Sequence, residues 1–257
     1  MNRACTLVRL SLLAAALPLA AATTPLADAP QAPPPLTPIQ APIRETSPGR
    51  FELGPVRLDR PGRSVSFPAV LNMNEGVVEY LLVASFGKTH ESVLRTEVAP
   101  YQVHLAMLLV GAQGAGTNAF PDAPEAPLPG DPVIIETAWT LDGKEQQRRG
   151  EELVQNRKTH SPAGRGPWVY NGSRMLEGSF VAQLDGSIVS LITDPNALVN
   201  NPRPGHEDDE LWLVRSNGLP ELDTPVTVTI RLLSSNRPPA APRPAARPEA
   251  VPIQPAK

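Results

Sequence analysis

Between residues 226 and 232 the side chains alternate: Val226, Val228, Ile230 and Leu232 fall on one side, Thr227, Thr229 and Arg231 on the other. A period of two built from β-branched residues predicts a strand half buried against a core. The same signature runs through 132–141, with Val133, Ile135 and Trp139 on one face and an Asp142-Gly143 turn at its end. Strands are also predicted at 64–71, 77–85 and 211–214. Asp185-Gly186, set between 180–184 and 187–192, predicts a two-residue hairpin. One segment departs from alternation. Over 100–111, Val103, Met107 and Val110 form a helical stripe that Leu105, Leu108 and Leu109 broaden, opening at Pro100 and stopping at Gly111. So apolar a helix is expected to lie buried against the sheet. The predicted class is therefore α+β, mainly β, with antiparallel sheets and one buried helix around 100–111. A long surface loop is expected over 111–131, where Gly, Ala and Pro concentrate.

The two ends follow a different pattern. Arg3 and Arg9 precede an apolar run from Leu10 to Ala22 that closes on Ala20-Ala21-Ala22, the form of a secretory signal peptide over 1–22. The run is about 13 residues and contains Pro18, short of the ~20 that span a bilayer, so the mature chain is expected to hold no transmembrane segment. Residues 23–49 and 237–257 are rich in Pro and Ala, a composition that buries too little apolar surface to fold and reads as a disordered linker and tail. One globular domain, 50–236, remains, large enough to bury a core of its own. Export to the periplasm or cell surface is the expectation.

Cysteine and charge narrow the chemistry. The single cysteine, Cys5, lies in the leader, so the mature chain is expected to have no disulfide and no thiolate ligand. Residues 50–236 carry 16 Lys/Arg against 23 Asp/Glu, a balance of −7, which speaks against nucleic acid as a partner and leaves an envelope protein or polymer. The tail has the opposite sign, with Arg237, Arg243, Arg247 and Lys257 against Glu249.

No complete catalytic motif is present. Gly87-Lys88-Thr89 ends like a phosphate-binding loop but lacks its first glycine, position 82 being Leu82. His90-Glu91 is the first half of a zinc-protease pattern whose second histidine is absent, since Leu94 stands in its place. His104 could supply that second nitrogen from elsewhere in the fold, with Glu91 as general base and Asp194 as a further carboxylate. No cofactor is required by the sequence, a divalent metal on His90 and His104 being the one alternative. The acidic run His206 to Glu210 lacks the spacing of a calcium loop and reads as a solvated turn. Asn171-Gly172-Ser173 matches a glycosylation sequon but is read as an Asn-Gly turn. Trp168 and Tyr170 are core by default and, if exposed together, a ligand-binding surface.

Taken in order, Ser64-Val65-Ser66-Phe67-Pro68, Val78-Glu79-Tyr80-Leu81, Gly87-Lys88-Thr89-His90-Glu91-Ser92, His104-Leu105-Ala106, Gly172-Ser173 and the stretch Gly186 to Pro195 resemble the YdjY family of bacterial domains across 51–233. The resemblance implies an exported bacterial protein with no established activity. Some relatives carry a ferredoxin-like label, which needs cysteine ligands that the mature chain lacks. Gly87 to Ser92 is the family's most distinctive polar stretch, which ranks Gly87, Lys88, Thr89, His90 and Glu91 first among candidate site residues. The reading is a non-enzymatic binding or envelope-associated module, with a metal-dependent hydrolase or lyase on His90, Glu91 and His104 as the alternative.

Overall fold

The computed structural model describes residues 42–233 except 117–119, 122 and 124–125. The expected signal peptide, most of the linker and the tail lie outside the described residues. A meander of β1 (Arg44–Ser47), β2 (Arg50–Leu53) and β3 (Val56–Asp59) leads into β4 (Ser64–Leu71), so that regular structure begins ahead of residue 50. There follow β5 (Tyr80–Ala84), a 3₁₀ turn at Thr89–Glu91, β6 (Ser92–Thr96), α1 (Pro100–Leu109), β7 (Asp131–Leu141) and β8 (Lys144–Arg149). Short strands β9 (Val154–Asn156), β10 (Trp168–Tyr170), β11 (Met175–Leu176) and β12 (Ser179–Phe180) reach a second helix, α2 (Val181–Asp185). Then come β13 (Ser187–Ser190), β14 (Val199–Asn200), β15 (Trp212–Val214) and β16 (Pro225–Leu232).

Strands β4, β16, β7, β10, β14, β13, β5 and β6 are hydrogen-bonded in that order, and β6 returns to β4, which closes an eight-stranded barrel. Two long strands make closure compatible with the extra hairpins. One edge of β4 pairs with β3 at Ser64–Ser66 and with β6 at Val70 and Leu71. One edge of β7 likewise pairs with β10 at Asp131–Val133 and with β8 from Glu136 onward. The expectation of a purely antiparallel arrangement is corrected: β5–β6 and β13–β14 run parallel. Alternation reports which face is buried and is the same for either strand direction, so strand polarity was not readable from it.

The alternating residues of β16 do face a core. Val228 stands opposite Phe67, and Ile230 opposite Val65 and Ile135, all of them buried, while Thr227 and Arg231 are exposed. Each such side chain removed from water stabilises the fold by roughly 1.5–3 kcal/mol. Gly130 shows how closely the barrel mouth is packed. Its φ is +134°, outside the range of other residues, and a Cβ there would overlap the Tyr170 carbonyl. Gly130→Ala is expected to cost about 1–3 kcal/mol, checked by urea denaturation of the two proteins.

Both helices depart from expectation in instructive ways. In α1 only Pro100, Val103, Ala106 and Met107 are buried, whereas Tyr101, Leu108 and Leu109 are exposed. Its apolar residues wrap the whole cylinder, and the barrel covers one side. The hairpin expected at Asp185-Gly186 is instead the end of α2, with Gly186 (φ +73°) as a left-handed C-cap. A tight hairpin and a helix C-cap both require a residue at positive φ, so the same dipeptide serves either.

Candidate functional site

The polar segment from Gly87 to Ser92 is strapped down from both sides. Asn72, just past β4, donates from Nδ2 to the carbonyls of Thr89 (2.6 Å) and Ser92 (2.7 Å), and the Glu79 amide donates to Glu91 O (3.0 Å). This delivers Lys88 to a cluster: its Nζ lies 3.2 Å from Glu91 Oε1 and 3.7 Å from Glu79 Oε2, and donates to the Tyr80 hydroxyl at 3.3 Å. Tyr80 in turn donates to Asp194 Oδ2 at 3.1 Å. Asp194 is positioned by its own amide, which donates to Asn200 Oδ1 (2.7 Å), and by the Asn196 amide on its Oδ1 (2.8 Å). Lys88, Glu91 and Asp194 are thus brought into one cluster. Gly87 and Thr89 contribute backbone only.

The electrostatics of this cluster describe a satisfied cation. Burial works against the Lys88 ammonium, but the Tyr80 hydroxyl and Glu91 outweigh it and hold its pKa above the ordinary lysine value. Burial, with Asp194 adding to it, pushes the Tyr80 hydroxyl up to about 12. Burial and then Glu91 raise the Glu79 carboxyl, while Lys88 pulls it back. At neutral pH the group therefore offers a protonated lysine and a neutral phenol. Neither is a base or a nucleophile in that state.

The proposed metal pair is not assembled. His90 is exposed, its Nε2 3.7 Å from Glu91 Oε2. His104, on α1, is enclosed elsewhere: its Nδ1 is 2.8 Å from the Tyr170 hydroxyl and its ring centroid 4.8 Å from that of Phe180. Burial lowers its pKa to about 4, so it is a neutral imidazole hydrogen-bonded to the Tyr170 hydroxyl. The two histidines share no partner, and among the described residues no three His, Cys, Asp or Glu side chains converge as metal ligands. Trp168 and Tyr170 are fully buried, which removes them as a ligand surface. Two residues apart on β10, they share one face of the strand.

Sequence reasoning missed a buried ionic network. Glu151 is completely buried, and its Oε1 lies 3.0 Å from Arg149 Nη2 and 3.6 Å from Arg203 Nη2. Trp168 Nε1 donates to its other oxygen at 3.1 Å, and the Arg203 guanidinium stacks on the Trp168 ring at 4.8 Å. Arg203 also donates to the carbonyls of Gly164 and Gly166 and to Asn201 Oδ1. Burial lowers the Arg203 pKa from the usual guanidinium value, Glu151 opposing that shift. Neighbouring Glu152 makes an exposed pair with Arg165, and nothing in the dipeptide distinguishes the two acids. Asn171 is buried and bonded to Asn200 and to the Pro129 carbonyl, so the sequon stands inside the fold.

A second unforeseen feature is an exposed apolar face. It joins Tyr101 and Leu108 of α1, Leu184 of α2, and Met175 and Leu176 of β11, which are between 41% and 63% exposed. Contacts beneath bring α1, α2 and β11 together. Met175 pairs with Phe180, whose ring meets Tyr101 edge-on at 6.0 Å, and the Tyr101 amide donates to Gln183 of α2 at 3.2 Å.

The sequence matches the family model of the YdjY domain over residues 56–231. The chain belongs to the YdjY domain family. The matched span of this YdjY domain takes in all but the last residue of the barrel strands, both helices, the Lys88 cluster and the Glu151 network. No curated protein and no solved structure matches the chain. No helix among the described residues is long and apolar enough to cross a membrane.

Proposed function

We propose that this YdjY domain is an exported, non-enzymatic binding module of the cell envelope, and that the face formed by α1, β11 and α2 is its contact surface. The observation that carries this reading is the set of adjacent exposed apolar side chains Tyr101, Leu108, Leu184, Met175 and Leu176. Soluble surfaces expose single apolar residues routinely, whereas a contiguous group marks an interaction site. Helix α1 has no charged residue along its length, so recognition rests on apolar burial and the fitting partner is an envelope protein with an uncharged apolar surface. The Lys88 cluster supports the non-enzymatic reading, since its cation is already matched by Glu79 and Glu91. The signal-peptide pattern of the leader supports export.

The test compares the parent chain with Leu108→Glu and Met175→Glu in the native host. Both positions are exposed, so the unfolding midpoint in urea should move by less than about 0.5 kcal/mol equivalent. Retention of the exported chain in the washed envelope fraction should fall at least about tenfold, the equivalent of one buried apolar contact of ~1.4 kcal/mol. Retention unchanged in both variants would rule this face out.

A further inference from the structure

A groove of about 390 Å³ lies between two loops, lined by Pro127 and Leu128 on one side and by Pro202, Pro204, Gly205 and Glu207 on the other. Its second wall is held rigidly. Arg203 is tied to Gly164, Gly166 and Asn201, and the Thr193 amide donates to His206 O at 2.7 Å. Glu207 is the one carboxylate among the lining residues, and among the described residues no ion pair reaches it. The described chain leaves the barrel beside this groove. The Leu233 amide donates to Pro132 O at 3.0 Å, and Leu128 precedes Pro132 by four residues, so at most about 14 Å separates the wall from the exit.

We infer that the basic, proline-rich segment 234–257 of this chain docks in that groove on its own domain. The segment carries Arg237, Arg243, Arg247 and Lys257 against Glu249. Its sign is opposite to that of Glu207. At ~3.1 Å per residue in an extended proline-rich conformation, Arg237 reaches about 12 Å from the exit and Arg243 about 31 Å, which covers the groove. Proline rings pack on the Pro and Leu walls, and a guanidinium forms charge-assisted bonds with Glu207. Attachment to the same chain supplies a millimolar effective concentration, so modest contacts suffice. None of these residues belongs to the α1 face, and the inference stands apart from the binding-module reading.

The test records amide spectra of the full mature chain beside two full-length variants, Arg237→Gln/Arg243→Gln/Arg247→Gln and Glu207→Gln. Loss of the guanidinium–carboxylate pair should weaken docking about tenfold. The amides of Leu128, Gly205 and Glu207 are therefore expected to move to the same new positions in the tail variant as in the parent at about 0.5 M salt. Those amides unmoved in the tail variant would overturn the inference. So would shifts that grow with protein concentration, because they would assign the groove to the tail of a second copy. The Glu207 variant separates the two elements of recognition: tail amides that keep their parent positions in it would also refute the pairing.

Discussion

Glu151→Ala is expected to lower the unfolding free energy by about 3–5 kcal/mol, the largest effect of any single polar substitution in the domain. The carboxylate is fully buried between Arg149 and Arg203 and accepts from Trp168 Nε1. Removing it leaves Arg203, itself 9% exposed, as a cation without its counter-charge, and strips the indole of its acceptor. The cost is that of an uncompensated buried charge, not the modest net worth of the intact pair. The adjacent Glu152→Ala is the internal control. Its partner Arg165 is largely exposed, and such a pair contributes about 0–1 kcal/mol. Urea denaturation of the two variants checks the contrast. Equal losses, or a Glu151→Ala loss under about 1 kcal/mol, would show that the network does not hold the barrel together.

That contrast also shows how far the sequence could be read. The strands of β4 and β16 were legible to the residue or nearly so, because each has one buried and one exposed face and alternation reports that difference directly. Barrel closure was not legible. It depends on β4 and β7 each changing partner midway, and pairing choices leave no trace in a single strand's pattern. The Lys88 cluster was half legible: Lys88, Glu91 and Asp194 were named, but Tyr80, the hydroxyl that connects them, sits on a strand buried on both faces and reads as core. His90 and His104 were paired on residue type alone, and the fold gives one to solvent and the other to Tyr170. The apolar face of α1 was misread for a related reason. A helix apolar all round predicts burial all round, whereas the barrel covers only one side of α1.

The stability of the domain is expected to fall as the solution is acidified from about pH 6.5 to about pH 4, with His104 responsible. Its imidazole is enclosed by Tyr170 and Phe180, and burial depresses its folded-state pKa to about 4 from an ordinary value of 6.5. Above pH 6.5 the ring is neutral in both states and titration contributes nothing. Below it the unfolded chain gains a proton that the folded chain refuses, so stability is lost progressively until the folded ring titrates near pH 4. The full difference corresponds to about 3 kcal/mol, and partial contact of the ring with solvent reduces this to about 2. Carboxylates titrate in the same range. Glu152, depressed by Arg165, acts in the same direction, whereas Glu79, raised by burial, acts oppositely. The diagnostic quantity is therefore the difference between the parent and His104→Asn, which keeps a hydrogen-bonding partner for the Tyr170 hydroxyl and carries no titrating group. That difference should widen with pH, in favour of the parent, between about 4 and 6.5 and stay constant above. A difference flat across the window would mean that the histidine ionises freely in the folded protein and that α1 does not seal it against the barrel.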